Sequence, residues 1–311
     1  MGLYTDKRIV FMGTPEFAVT SLQALVEAGF HVAAVITAPD KAAGRGLQLQ
    51  QSAVKKYALE KGLPLLQPHK LKNPDFLDAL RALKAHLQVV VAFRMLPELV
   101  WAMPPLGTIN VHGSLLPQYR GAAPINWAVI NGETETGVTT FQLQHQIDTG
   151  GILLQEKMTI GPHETAGEVQ DRMKELGAQV LLKTVQGLFD GTLDPIPQPF
   201  VPEEELQHAP KLTTATGNID WNKPANEVHN LIRGLSPYPT AYTQLDGKLV
   251  KIFRARKIIE PAPALPGTTH TDGKNYLRFA AADGWIEVLE LQVAGKKRMA
   301  IQQFLAGYRA K

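Results

Sequence analysis

Residues 1–190 are predicted to form an α/β domain: a Rossmann-like, mainly parallel sheet with helices on both faces. Residues 210–311 are predicted to form a small β-barrel of the OB type. Three observations carry this expectation. Short apolar runs alternate with segments of helical period through the first 190 residues, as in folds where crossover helices join parallel strands. A Pro-rich stretch, Asp194-Pro195-Ile196-Pro197-Gln198-Pro199, then interrupts the chain, and such stretches act as semi-rigid spacers. Beyond it come several short strand-like runs separated by turn dipeptides. Residues 191–209 are accordingly the expected linker.

The elements follow in order. Residues 8–12 (RIVFM) read as a strand, and Gly13-Thr14-Pro15 as a turn with Thr14 capping a helix and Pro15 opening it. Gly29 closes that helix, and residues 31–37 (HVAAVIT) form the second strand. Residues 38–46, polar and Gly-rich, read as a mobile loop. Further strands are expected at 88–92, 108–111 and 138–143, with helices near 51–61, 73–86, 123–131 and 165–189. In the second part a helix at 225–233 precedes strands at 241–245, 249–253, 276–280 and 286–293. Asp246-Gly247 and Asp283-Gly284 fit tight turns.

The chain of 311 residues is too long for one ordinary core, which fits two domains. It has no cysteine, so disulfide and thiolate chemistry are excluded. No apolar run reaches the length of a membrane span. The N-terminus lacks the layout of a signal peptide, and Met1-Gly2 is not followed by Ser or Thr at position 6, which is Asp6. A cytoplasmic address is the expectation. The net charge of +3 is uneven. Residues 1–205 hold 17 Lys and Arg against 21 Asp and Glu, a balance of −4; residues 206–311 hold 15 against 8, a balance of +7. A basic second domain either binds a polyanion or merely solvates its surface.

The strongest local pattern is Asn110-Val111-His112-Gly113-Ser114-Leu115-Leu116-Pro117-Gln118-Tyr119-Arg120-Gly121. Asn110 and His112 end a strand, and residues two apart on a strand share a face, so an amide donor and an imidazole stand together. Strand carboxyl ends are where open α/β sheets bind ligands. The second pattern, Ile147-Asp148-Thr149-Gly150-Gly151, has turn composition and follows the strand at 138–143. It brings Asp148 to the same rim if the two strands are neighbours. Taken singly, the histidine reads as hydrogen-bonded structure and the Asp-Thr-Gly as a turn; their joint placement favours function. His112, His145 and Asp148 could in principle gather around zinc, but no paired ligand spacing occurs, so no metal is expected.

These segments resemble the signature of the folate-dependent formyltransferases, and the similarity runs from the strand at Arg8 to about Arg298. It is carried also by Phe11-Met12-Gly13-Thr14-Pro15, by Pro39-Asp40-Lys41 with Gly44-Arg45-Gly46, by Ile232-Arg233-Gly234-Leu235-Ser236-Pro237, and by Gly295-Lys296-Lys297-Arg298. The resemblance implies a 10-formyltetrahydrofolate donor and, from the loop and the C-terminal pieces, initiator methionyl-tRNA as acceptor. It implies direct amine attack on the formyl carbon, with Asn110 and a protonated His112 donating to the oxyanion. Asp148 would hold His112 or move the amine's proton. Ser114, Leu115, Leu116 and Pro117 would form part of the folate site, facing Phe93, Arg94, Met95 and Leu96. Lys41, Arg45, Lys248, Lys251, Arg254, Lys296, Lys297 and Arg298 would meet tRNA. Gln144-His145-Gln146-Ile147 and Leu47-Gln48-Leu49-Gln50 depart from the family pattern, which carries more acidic and more basic residues there, respectively. The rival readings are an amino-sugar nucleotide acceptor, hydrolysis of the donor, and a catalytically dead nucleic-acid-binding protein.

Overall fold

The computed structural model describes residues 4, 6–43, 48–260 and 265–308. In chain order the elements are β1 (Arg8–Gly13), α1 (Glu16–Glu27), β2 (His31–Ile36), β3 (Lys41–Ala43), β4 (Gln48–Gln50), α2 (Ala53–Glu60), β5 (Leu65–Leu66), α3 (Pro74–Ala82), β6 (Leu87–Val91), α4 (Glu98–Trp101), β7 (Thr108–His112), β8 (Arg120–Gly121), α5 (Pro124–Ile130), β9 (Glu135–Gln142), β10 (Ile152–Thr159) and α6 (Ala166–Asp190). There follow β11 (His208–Ala209), α7 (Ala225–Gly234), β12 (Ala241–Leu245), β13 (Lys248–Ile258), β14 (Thr269–Thr271), β15 (Leu277–Ala280), β16 (Trp285–Val293), β17 (Met299–Ala300) and α8 (Ile301–Leu305). They fall into two compact units that interleave along the chain. One takes residues up to 120 with 137–158 and 171–207, and the other takes 121–136, 159–170 and the residues from 208 onward.

The first unit is built on a seven-stranded sheet in the order β10-β9-β7-β6-β1-β2-β5. β1 pairs in parallel with β2 and β6, β2 with β5 and β6 with β7, while β9 runs antiparallel to β7. The chain winds one way from β1 to β5 and then returns to β6 and β7 on the other side. The strand order therefore switches between β1 and β6, where such sheets open a ligand crevice at their carboxyl ends. Both faces are covered. Val10, Met12 and Val90 pack with Phe76, Leu77 and Leu80 of α3. On the opposite face, a side chain at Gly13 would meet Ala18 of α1, and one at Gly177 of α6 would touch Val111 and Val138. β1 is buried on both sides, which explains its unbroken apolar run.

Local departures from expectation have local causes. Pro15, not Thr14, caps α1: it stays extended, and its carbonyl accepts from the Ala18 N–H with no help from the Thr14 side chain. The helix ends as expected. Gly29 adopts φ 79°, and the N–H groups of Gly29 and Phe30 return to Val26 and Leu25, satisfying the last carbonyls. The stretch read as a loop contains a short hairpin, in which Lys41–Ala43 pairs with Gln48–Gln50 so that their backbone groups satisfy each other. Gly44-Arg45-Gly46-Leu47, between the two strands, lies outside the described residues. Strand β10 had no sequence expectation. It ends the strand order, and its Gln155, Glu156 and Lys157 give it a polar composition suited to an edge.

The second unit carries a six-stranded antiparallel sheet, β12-β13-β16-β15-β14, with β17 beside β16. The path ends on two edges, so the expected barrel takes the form of an open half-barrel. Register shifts at Ile252/Arg254 and Arg254/Ala255 bend its long central pair. Asp246-Gly247 makes the expected tight turn, with φ 49° and 74°. The core gathers Ile232 of α7, Ile252, Val288 and Leu291, with Trp221 stacked on Phe279 at 4.6 Å.

Candidate active site

β7 carries Asn110 and His112 to the sheet's carboxyl rim. The register aligns Asn110 with Val90 and Met12, so both polar residues stand on the face that α3 covers further down the strands. Asn110 is half-buried, and its carboxamide has no hydrogen-bond partner among the described residues. His112 is buried. Its Nε2 lies 2.9 Å from the Tyr119 carbonyl. A carbonyl can only accept, so Nε2 carries the hydrogen and Nδ1 is left for chemistry. That atom faces Asp148, with Nδ1 3.9 Å from Oδ2, beyond hydrogen-bond length. The imidazole edge also meets Phe141, with centroids 6.3 Å apart.

The loop after His112 is held from β9 and β10. The Thr139 hydroxyl donates to the Ser114 carbonyl at 2.7 Å and accepts from the Leu116 N–H at 3.1 Å. The Gln155 amide donates to the Leu116 carbonyl at 2.8 Å. Tyr119 sits at φ 60°, and this left-handed turn aims its carbonyl at His112. For a residue other than glycine that conformation stores strain, which is usual where geometry serves a site.

Asp148 is also left-handed, at φ 55°. Its turn closes against two surfaces that only glycine can approach. A side-chain carbon at Gly150 would lie 1.7 Å from the Gln142 carbonyl oxygen, and one at Gly151 would lie 2.8 Å from Pro195. The Pro-rich connector clamps this turn. Ile196 exchanges backbone hydrogen bonds with Ile152, and the Gln198 amide donates to the carbonyls of Asp148 at 2.8 Å and Gly150 at 2.9 Å. Arg120 completes the chain, donating to Gln198 Oε1 at 2.6 Å. Tyr119 and Arg120 stood in the strongest sequence pattern and Gln198 in the Pro-rich stretch, but none was given a role there, and Thr139 was not singled out. Thr139 faces His112 across the β7–β9 pair.

The remaining expected residues are distributed as follows. Ser114 is fully buried and its hydroxyl donates to the Gln118 carbonyl at 2.7 Å, so its side chain shapes the loop and is closed to a ligand. Leu116 and Pro117 are buried, and Leu115 is half-buried against Gly137. Phe93, Arg94, Met95 and Leu96 follow β6 at the switch point. Met95 is exposed, Leu96 is buried, and Arg94 donates to the Pro68 and His69 carbonyls. His145 pairs with Glu98 at 3.3 Å and meets the Trp101 ring edge-on. Among the described residues no cluster of three His, Cys, Asp or Glu could hold a metal ion, and no helix is long and apolar enough to cross a membrane. Lys41, Lys248, Lys296 and Lys297 are exposed and Lys251 is half-buried; Arg45 lies outside the described residues. Arg254 and Arg298, expected to meet tRNA, are engaged in ion pairs on the protein surface. Arg254 pairs with Glu168 at 2.5 Å; Arg298 grips Glu290 with two nitrogens and lies over the Phe253 ring at 4.2 Å.

Comparison with known proteins places the chain in a family. Residues 7–185 match the family model described as formyl transferase, and residues 211–309 match the formyl transferase C-terminal domain. Relatives named methionyl-tRNA formyltransferase include those of Bacteroides fragilis, 53% identical over 97% of this chain and 95% of the relative, and Parabacteroides distasonis, 54% identical over 98% and 96%. Among solved structures, a sugar 3N-formyl transferase, WlaRD, crystallised in the presence of dTDP and 5-N-formyl-THF, superposes with a TM-score of 0.68 at 19% identity, over 94% of this chain and 99% of that one. HypX from Aquifex aeolicus in complex with tetrahydrofolic acid gives 0.65 at 19% identity, over 98% of this chain and 48% of that one. At such identities these two attest the fold alone. The family models span nearly the whole length with the relatives, and the chain belongs to the formyl transferase family.

Proposed function

We propose that this chain transfers the formyl group of 10-formyltetrahydrofolate to the α-amino group of initiator methionyl-tRNA, in the cytoplasm, for translation initiation. The observation that carries the reading is the unpartnered Asn110 carboxamide beside a His112 whose ring is oriented by the Tyr119 carbonyl and faced by Asp148. The donor fits the residues present: a crevice at the switch point, with Met95 and Phe93 as apolar surface and the 113–117 loop held rigid. The proposed division of labour is catalysis by residues 1–190, a connector at 191–209, and tRNA affinity from 210–311.

The neutral amine attacks the formyl carbon and creates a tetrahedral oxyanion. Asn110 donates its amide N–H to that oxygen, and loss of one such donor raises the barrier by about 3 kcal/mol. His112 acts only through Nδ1, since Nε2–H is committed to Tyr119. As imidazolium it donates from Nδ1; as imidazole it accepts the proton that the amine sheds, and that proton goes on to the departing N10. Asp148 faces the same Nδ1 at 3.9 Å, placed to orient the ring or to relay the amine's proton. Lys41, Arg45, Lys248, Lys251, Lys296 and Lys297 supply phosphate contacts, and Arg254 and Arg298 hold the half-barrel surface that presents them.

Three acceptors offered in parallel test this reading. Incubation with 10-formyltetrahydrofolate and methionyl-tRNA, a dTDP-linked amino sugar, or buffer alone should give formylated product with the tRNA only. Formylation of the amino sugar, or donor hydrolysis at the same rate in every tube, would overturn it.

A further inference from the structure

Phe200 is 92% exposed, on a connector whose backbone is stiffened by Pro195, Pro197 and Pro199. An aromatic ring held rigidly in solvent contributes nothing to the core. It lines a depression of about 740 Å³, within the range of small-molecule sites, that lies wholly in the first unit. Gln142, Gln144, Gln146 and Gln198 share the lining. Gln198 is tied to the Asp148 and Gly150 carbonyls and the Gln144 amide to Thr149, while the Gln146 amide has no hydrogen-bond partner among the described residues and can both donate and accept. The depression adjoins the catalytic turn. Thr149 and Gly151, which flank that turn, line it, and Gln198 bonds the Asp148 carbonyl directly. The turn is itself fixed, with the Gln144 amide donating to the Thr149 hydroxyl at 2.7 Å.

We infer that this depression receives the 3′-terminal nucleoside of the tRNA acceptor, its base stacked on Phe200 and its polar edges met by the glutamine amides. The inference rests on the proposed acceptor. An amino group reacting beside Asp148 is separated from the ribose that carries it by a single aminoacyl residue, about 3.5 Å of chain. The terminal nucleoside therefore binds close to that turn, and this depression adjoins it. Unpaired bases are held by aromatic stacking and by hydrogen bonds to their edges, and Phe200 with its glutamine neighbours offers both. Arg120 and Glu203 also line the depression, one charge of each sign, and the Arg120 guanidinium is bonded to Gln198; a lining without excess positive charge suits a neutral base better than a phosphate. The departure from the family pattern at Gln144 and Gln146 falls on this lining.

The test uses the full chain as wild type, Phe200→Ala and Phe200→Trp, with initiator tRNA carrying or lacking its terminal adenosine. Stacking of one base is worth roughly five- to a hundred-and-fiftyfold in affinity. Removing the adenosine should weaken wild-type binding by that factor, weaken Phe200→Ala binding little further, and act on Phe200→Trp as on wild type. In formyl transfer, Phe200→Ala should raise the methionyl-tRNA KM by a similar factor with the donor KM unchanged. An equal loss on adenosine removal in wild type and Phe200→Ala would overturn the inference, as would a raised donor KM. So would saturation by free AMP that depends on Phe200 while the terminal adenosine of tRNA makes no difference. A wild-type protein that formylates no tRNA defeats the proposed function itself, and that is read before any variant is compared.

Discussion

Asn110 and His112 owe their pairing to strand geometry, and Asp148 owes its position to a turn that two glycines and one glutamine make possible. This difference decides how each should be probed. Asn110→Ala removes a donor with no hydrogen-bond partner among the described residues, so formyl transfer should fall about a hundred- to a thousandfold while the melting temperature stays put. Asp148 is better replaced by Asn, which tolerates the left-handed backbone and removes only the charge. Asp148→Asn should lower kcat, and combined with His112→Asn it should lose much less than the product of the two single effects, because both groups serve one proton. Multiplicative losses in single-turnover rates would separate them. The trio was legible in the sequence because strand period and turn composition are local signals. The Tyr119 carbonyl and Gln198 were not: one is a backbone atom, and the other lies 50 residues from the carbonyl it bonds.

Among the elements, α6 shows how a helix start can be coupled to a sheet surface within the second unit. The Thr165 hydroxyl accepts from the Glu168 N–H at 3.3 Å, and Glu168 Oε2 accepts from the Thr165 N–H at 2.9 Å, a reciprocal cap. Arg254 adds its guanidinium to the same carboxylate. Partial burial opposes the charge of Glu168, but the Thr165 hydrogen bonds and Arg254 outweigh it and hold its pKa at about 2. The folded-state pKa is depressed, so the stabilisation is complete above about 4.5 and is lost as pH falls toward 2. His229 acts in a higher window. Burial, then the charges of Arg233, Lys257 and His163, push it down from 6.5 to about 4, and its Nδ1 has no partner. Its native state stays neutral while the unfolded chain takes up a proton, so stability is lost as pH falls from 6.5 to 4. Melting temperatures across pH should show both slopes. His229→Gln should flatten the upper one and Glu168→Gln the lower. A profile unchanged by either variant would contradict the assignments. The main strands and helices were legible because apolar period reports them directly. β10 was not, because an edge strand is half polar, and the β3–β4 pair was not, because strands of three residues carry too little alternation to read. The Arg233-Gly234 motif is likewise packing: Arg233 donates to the Gly161 and Glu164 carbonyls, and Gly234 lets α7 approach Asn126 and Ile130 of α5.

For the whole molecule, two domains were legible from composition and the Pro-rich break, but the interleaving of the two units and the strand order were not, because both depend on contacts distant in sequence. The charge balance was legible as a sum; which cations are open to a ligand was not. Arg298 is engaged with Glu290 and Phe253 while Lys296 and Lys297 are exposed, so the tRNA contact proposed at that turn is best probed on the two lysines. Lys296→Gln with Lys297→Gln should flatten the log–log salt dependence of tRNA binding by about 1.5 and raise the tRNA KM, with kcat at saturation retained. An unchanged slope would reduce these lysines to surface solvation. The central claim is direct transfer from the folate to the amine with no enzyme-bound intermediate. It is tested by a rapid-quench single turnover with formyl-13C-labelled 10-formyltetrahydrofolate and methionyl-tRNA, read by mass spectrometry. The account predicts that label appears on the methionine nitrogen in step with tetrahydrofolate release, none on the protein, and that Asn110→Ala slows both together. Label on the protein, or released as formate while methionine stays unmodified, would contradict it.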